Sequence, residues 1–260
     1  MLKYLNVDPD FLLSNFQLTA SDVLLAFLAT LLLGMGKSGL KGLGVVIVTL
    51  MALVFGGKAS TGVLIPMMIA ADVLAVLYYH RHTQWKFLIK LLPMMVVGVL
   101  LGVWWGNDIS EVLFKQIMAY FILATVLVMI WMDRTKTIAI PKHWAFSGFM
   151  GLLSGITSMI GNLAGSFTSI YLLAIRLPKN EFIGTAAWLF FIINVFKLPF
   201  HIFIWKTVTK ETLAMNLWLS PAIVIGFYLG IKLVKIINND QYRKLVLIVT
   251  ALGALIILLK

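Results

Sequence analysis

The stretch "LLGMGKSGLKGLG" (residues 32–44) sets two lysines and five glycines inside a run that is otherwise apolar. A lysine in oily surroundings is costly and needs a reason. A second stretch, "SGITSMIGNLAGS" (154–166), breaks apolar sequence in the same way with glycines and small polar residues. Each break separates two short apolar segments near the start of one half of the chain.

Of the 260 residues, 61% are hydrophobic and 12% charged. A soluble domain carries about a quarter charged residues. Long apolar runs between short polar loops predict a multi-span helical membrane protein with no soluble domain. The N-terminal "MLKYLNVDPDFLLSNFQLTASD" lacks the basic head, compact apolar run and cleavage site of a signal peptide, so none is expected. The chain has no cysteine, which removes disulfides and thiolate chemistry. The net charge of +11 is spread over many loops, so a cytoplasmic loop bias explains it and no nucleic-acid partner is expected.

Hydropathy predicts helices near 21–36, 42–55, 58–79, 86–106 and 112–132, then near 145–161, 164–176, 182–205, 211–231 and 242–259. Residues 1–20 read as an extramembrane segment, 21–132 as a first repeat, 133–144 as a linker and 145–260 as a second repeat. At an offset of 122, Gly39 falls on Gly161, Asp72 on Asn194 and Tyr79 on His201. At 128, Pro93 falls on Pro221, Gly98 on Gly226, Gly102 on Gly230 and Lys115 on Arg243. One six-residue insertion reconciles the two offsets, which predicts an internal duplication.

The first two helices of the first half, at about 16 and 14 residues, reach roughly 24 and 21 Å, short of a roughly 30 Å hydrocarbon core. If each short pair returns to its starting side, the second half is inverted. Lys and Arg then divide 14 against 6 between the faces, or 12 against 6 with Lys37 and Lys41 set aside; parallel halves give 10 against 8. Loop charge bias favours inversion, with both termini outside. The predicted fold is therefore all-α and polytopic, with two inverted repeats of five helical segments. Trp85, Trp104, Trp105, Trp131, Trp144 and Trp205 fall at segment ends as an interfacial belt, while Trp188 and Trp218 read as packing residues.

The "GKS" triplet is not a phosphate loop, because Leu31 stands where the leading glycine is needed and the flanks are membrane helices. Inverted repeats with short, Gly-interrupted segments instead point to a transporter's midplane site. Gly36, Gly39, Gly42, Gly161 and Gly165 let backbone approach a ligand. Helix N-termini offer free N–H donors and a positive dipole end. Lys37 and Lys41 add charge, and Ser38, Thr157, Ser158, Asn162 and Ser166 add neutral donors. This is the chemistry of a small oxyanion site; the competing reading is tight helix packing beside exposed loop lysines.

Asp72 is the carboxylate set deepest within a predicted span. Asn194, Lys197 and His201 share one helix face, and Asp72 and Tyr79 the matching face of the first half. These faces are expected to meet and line the pathway. Asp72 reads as a proton-coupling group or as the counter-ion of Lys197. "GVLLG" (98–102) and "GFYLG" (226–230) read as packing motifs. His80, His82 and His143 have no metal-ligand spacing, and no HExxH, paired intramembrane aspartates or Ser-His-Asp set appears, so neither an enzyme, a metal nor a cofactor is expected.

The segments "LLLGMGKSGLKGLGVVIV", "GGKASTGVLIPMMIAADVLAVLYYHRHTQWKFL" and "GLLSGITSMIGNLAG", with the two glycine pairs, resemble the sulfite exporter TauE/SafE family of bacterial membrane proteins over about residues 21–259. Where that family carries a richer glycine run followed by a proline, this chain has Lys37 and Lys41, then "SMIGNLAGS". The resemblance implies an inner-membrane exporter of sulfite or an organosulfonate, with Gly36, Lys37, Gly39, Gly42, Gly161, Asn162 and Gly165 as binding elements. The alternative is a passive anion channel or uniporter for another small oxyanion. Proton or sodium coupling and a homo-oligomer stay open.

Overall fold

The computed structural model describes residues 16–40, 42–106 and 144–238, with isolated positions between 109 and 124 and between 241 and 248. The predicted helices 112–132 and 242–259, the 133–144 linker, Lys41, Trp131, His143, Lys115 and Arg243 lie outside the described residues or largely so. Among the described residues the secondary structure is helical throughout. The helices are α1 (Ala20–Lys37), α2 (Gly44–Phe55), α3 (Gly57–Tyr79), α4 (Trp85–Gly106), α5 (Trp144–Gly161), α6 (Ala164–Ala174), α7 (Lys179–Phe203) and α8 (Lys210–Ile236), with a 3-10 turn at His80–His82.

Six of these helices are long and apolar enough to cross a membrane: α1, α3 with its 3-10 turn, α4, α5, α7 and α8. The chain is a multi-pass membrane protein. One length differs from the sequence reading. Helix α1 has 18 residues, about 27 Å, because a capping box at Thr19 and Asp22 starts it early and it continues through Lys37. Its counterpart α5 also has 18, so the short members are α2 with 12 residues and α6 with 11.

Glycines set which helices touch. A Cβ on Gly226 would strike the Leu31 carbonyl, and one on Gly230 would strike Ser38 and Met35. Helices α1 and α8 thus run parallel in close contact. A Cβ on Gly98 would strike the Leu152 carbonyl, and one on Gly102 the Met159 side chain, so α4 and α5 are parallel too. The two five-residue glycine motifs are packing surfaces, as their spacing suggests. Helices α3 and α7 cross antiparallel, with Gly184 against Tyr79 at one end and Gly62 against Thr207 at the other.

The helix directions sort the charges. The C-terminal ends of α1, α3 and α8 and the N-terminal end of α7 share one face, tied by Tyr79 Oη on the Ser38 carbonyl and Lys179 Nζ on the carbonyls of Val234 and Ile237. Arg81, Lys86, Arg176, Lys179, Lys232 and Lys235 lie at or near that basic face. Lys58, Lys206 and Lys210 lie at the opposite one.

Trp205 departs from the predicted aromatic belt. The chain folds back after α7, with the amide of Thr207 on the His201 carbonyl at 2.9 Å. Trp205 is carried inward, 6% exposed, its indole N–H on the Val103 carbonyl. Trp85, Trp104, Trp105 and Trp144 are exposed as a belt requires.

Candidate functional site

Helix α1 ends at Lys37, and the chain breaks before α2 begins at Gly44. Helix α5 ends at Gly161, and Asn162 turns it into α6 with a left-handed φ of 56°. That conformation suits Asn better than most side chains. Neither α2 nor α6 has a side-chain N-cap, so neither first turn has its free N–H groups satisfied by a capping side chain.

Between the two breaks lies a cavity of about 80 Å³. By the same measure a single water needs roughly 10–15 Å³, so the space suits a few waters or one small ion. The first break contributes Gly36, Lys37 and Gly42 to its walls, and Gly44 and Val45 from the α2 terminus. The second contributes Ser158, Asn162 and Gly165, and helix α7 adds Phe190, Asn194 and Lys197.

Two ammonium groups meet here in different ways. Lys37 Nζ lies 2.6 Å from Asp72 Oδ1 and 5.0 Å above the Phe190 ring. Asp72 is fully buried, and its second oxygen accepts from Asn194 Nδ2 at 2.6 Å. Lys197 is also fully buried, but its ammonium donates to neutral acceptors: the Ser158 carbonyl and Asn162 Oδ1, both at 2.8 Å. Asn162 Nδ2 in turn donates to the Thr61 carbonyl at 3.3 Å. The cation on Asp72 is thus Lys37, where the sequence offered Lys197, because Lys197 points along α7 to the second break. With both lysines charged, two cations would face one carboxylate and the surplus would be positive.

The other sequence-predicted residues are placed around this cluster. Ser38 Oγ donates to the Met35 carbonyl, and Thr157 Oγ1 to the Leu153 carbonyl, so both hydroxyls are spent within their own helix ends. Gly39, at φ 134°, packs under Ile183 and Val234, and Gly161 is buried at the end of α5. A Cβ on Gly165 would meet nothing within 4 Å, consistent with its facing the cavity. Ser166 lies in α6; Lys41 lies outside the described residues. Tyr79 and His201 sit away from the cavity. The Tyr79 hydroxyl donates to the Ser38 carbonyl at 2.8 Å. His201 Nδ1 lies 2.9 Å from Thr207 Oγ1, its ring edge-on to Trp205.

Ten of the lining residues are not among those the sequence singles out, Phe190, Ser169 and Gly44 among them. Phe190 lies four positions before Asn194 and seven before Lys197, so helical spacing alone places it on that face. Ser169 is likewise four positions after Gly165 in α6, and Gly44 opens α2.

The model of a family described as the sulfite exporter TauE/SafE matches residues 23–257. No curated protein and no solved structure matches the chain.

Proposed function

Because the chain belongs to the sulfite exporter TauE/SafE family, whose function is membrane transport, we propose that it carries a small sulfur oxyanion, sulfite or a compact organosulfonate, out across the inner membrane. The observation that carries the reading is the cavity between the two chain breaks, with the Lys37 and Lys197 ammonium groups on its wall and one carboxylate beside them. An anion there would balance the surplus positive charge and accept hydrogen bonds from both lysines and from uncapped helix termini. The two halves, inverted in the membrane with the basic face cytoplasmic, would rock about the α3–α7 crossing to open the cavity to either side.

The anion also competes with Asp72 for Lys37. When Lys37 turns to the substrate, Asp72 is left buried with only the Asn194 amide, an expensive position for a charge. A proton taken up by Asp72 relieves it, which couples anion movement to proton movement.

The test is flux into proteoliposomes of sulfite, sulfoacetate, sulfate and thiosulfate, with Lys37→Ala as control. Saturable sulfite uptake with counterflow of labelled substrate, lost in Lys37→Ala, supports a carrier. Flux of none of these anions overturns the substrate, and large unitary currents without counterflow would make the protein a channel.

A further inference from the structure

A second chamber, of about 410 Å³, opens at the basic face between α3, α7 and α8, lined by Tyr78, Tyr79, His82, Lys179, Asn180 and Lys235 together with Val234. It is roughly five times the volume of the inner cavity. Among the described residues its polar lining is basic or neutral. Lys179 and Lys235 bring positive charge, His82 and Asn180 can donate hydrogen bonds, and among the described residues no carboxylate lines it. Lys179 donates to the terminal carbonyls of α8 at Val234 and Ile237, so its charge is held at the chamber wall.

Tyr79 is the floor. It is 4% exposed, it lines the chamber, and its hydroxyl reaches the carbonyl of Ser38, the residue next to Lys37 of the inner cavity. The Tyr79–Ser38 bond thus links the lining of the chamber to the residue that follows Lys37.

We propose that this chamber is an antechamber that collects hydrated small oxyanions at the basic face, and that Tyr79, latched to the Ser38 carbonyl, is the barrier past which they must shed water to reach the inner cavity. The proposal rests on the transport reading for its cargo, but not for its electrostatics or its latch. A focused positive potential concentrates anions, and salt weakens it. The difference in volume adds a filter: the outer space holds an ion with its water, and the inner one holds little more than the ion.

The native chain has no cysteine, so single thiols report cleanly. With Asn180→Cys in the chamber, a methanethiosulfonate reagent bearing a sulfonate is expected to react roughly tenfold faster at low salt than one bearing a quaternary ammonium, each rate normalised to a free thiol. Lys235→Glu, or high salt, should collapse that ratio. With Ser169→Cys in the inner cavity, adding Tyr79→Phe should speed modification from the basic face several-fold, because the latch is gone. Equal normalised rates for the two reagents at Asn180→Cys overturn the antechamber. An unchanged rate at Ser169→Cys overturns the latch. Neither readout uses sulfite, so their failure is distinct from a failure to transport it.

Discussion

Asn194 Nδ2 donates to Asp72 Oδ2 at 2.6 Å, and the two residues stand 122 positions apart, the offset that also places Gly39 on Gly161 and Tyr79 on His201. Two positions that this offset pairs therefore touch where α3 and α7 cross. Two carboxylates there would repel and share a proton. An amide in one half lets the carboxylate of the other accept a hydrogen bond, and the remaining oxygen is left for Lys37.

Asp72→Asn keeps the shape of this contact and removes its charge. Uptake driven by an imposed pH gradient is expected to vanish, while labelled-substrate counterflow at equal pH persists. The same gradient-driven uptake in the variant as in the native protein would remove Asp72 from coupling. Lys37 is left without its partner, so a fall in thermal stability accompanies the change, about 3 kcal/mol if the pair behaves as other buried pairs do.

Removing the ammonium of Lys37 should weaken anion binding directly. A charge-assisted hydrogen bond is worth about 1.5–3 kcal/mol, so Lys37→Met is expected to raise the half-saturating sulfite concentration about 10–100-fold. Lys37→Arg should recover part of that loss, since charge is kept and geometry is not. Native-like saturation in Lys37→Met would place the anion elsewhere.

Asn162 has two separable roles, one for its side chain and one for its backbone. Asn162→Gly keeps the left-handed turn and loses the oxygen that holds Lys197; Asn162→Ala loses both. Thermal melts should place the alanine variant about 1 kcal/mol or more below the glycine variant. Sulfite affinity should fall in both alike. An alanine variant as stable as the glycine one would contradict the assigned strain.

Much of this arrangement is legible in the sequence, and the rest fails for identifiable reasons. The offset of 122 pairs Asp72 with Asn194, and the two do touch, because both lie mid-helix where α3 and α7 cross and polar groups buried there have little choice of partner. Helical spacing finds the face that carries Asn194 and Lys197, and would also have found Phe190 had it been carried one turn back. The partner of Asp72 was not readable, because it depends on how deep α1 runs before it breaks. Trp205 misled for a similar reason: a tryptophan at a helix end suggests an interface, but the fold-back at Ile204 and Thr207 is a tertiary event with no local signature.

Glycines of the two kinds should behave oppositely. A methyl on Gly98 or Gly226 runs into the backbone of the neighbouring helix, so Gly98→Ala or Gly226→Ala should lose about 1–3 kcal/mol of stability, read as a lower melting temperature. At Gly44 or Gly165 a methyl meets nothing within 4 Å. Those alanine variants should melt like the native protein while binding sulfite more weakly, because both positions line the cavity.

The most direct measurement is anomalous diffraction from crystals soaked in selenite, which has the shape and charge of sulfite and a heavier central atom. A selenium peak is expected inside the cavity between the two breaks, its oxygens about 3 Å from the amino groups of Lys37 and Lys197. A well-occupied peak elsewhere, with the Lys37–Asp72 pair intact and the cavity empty, would contradict that expectation.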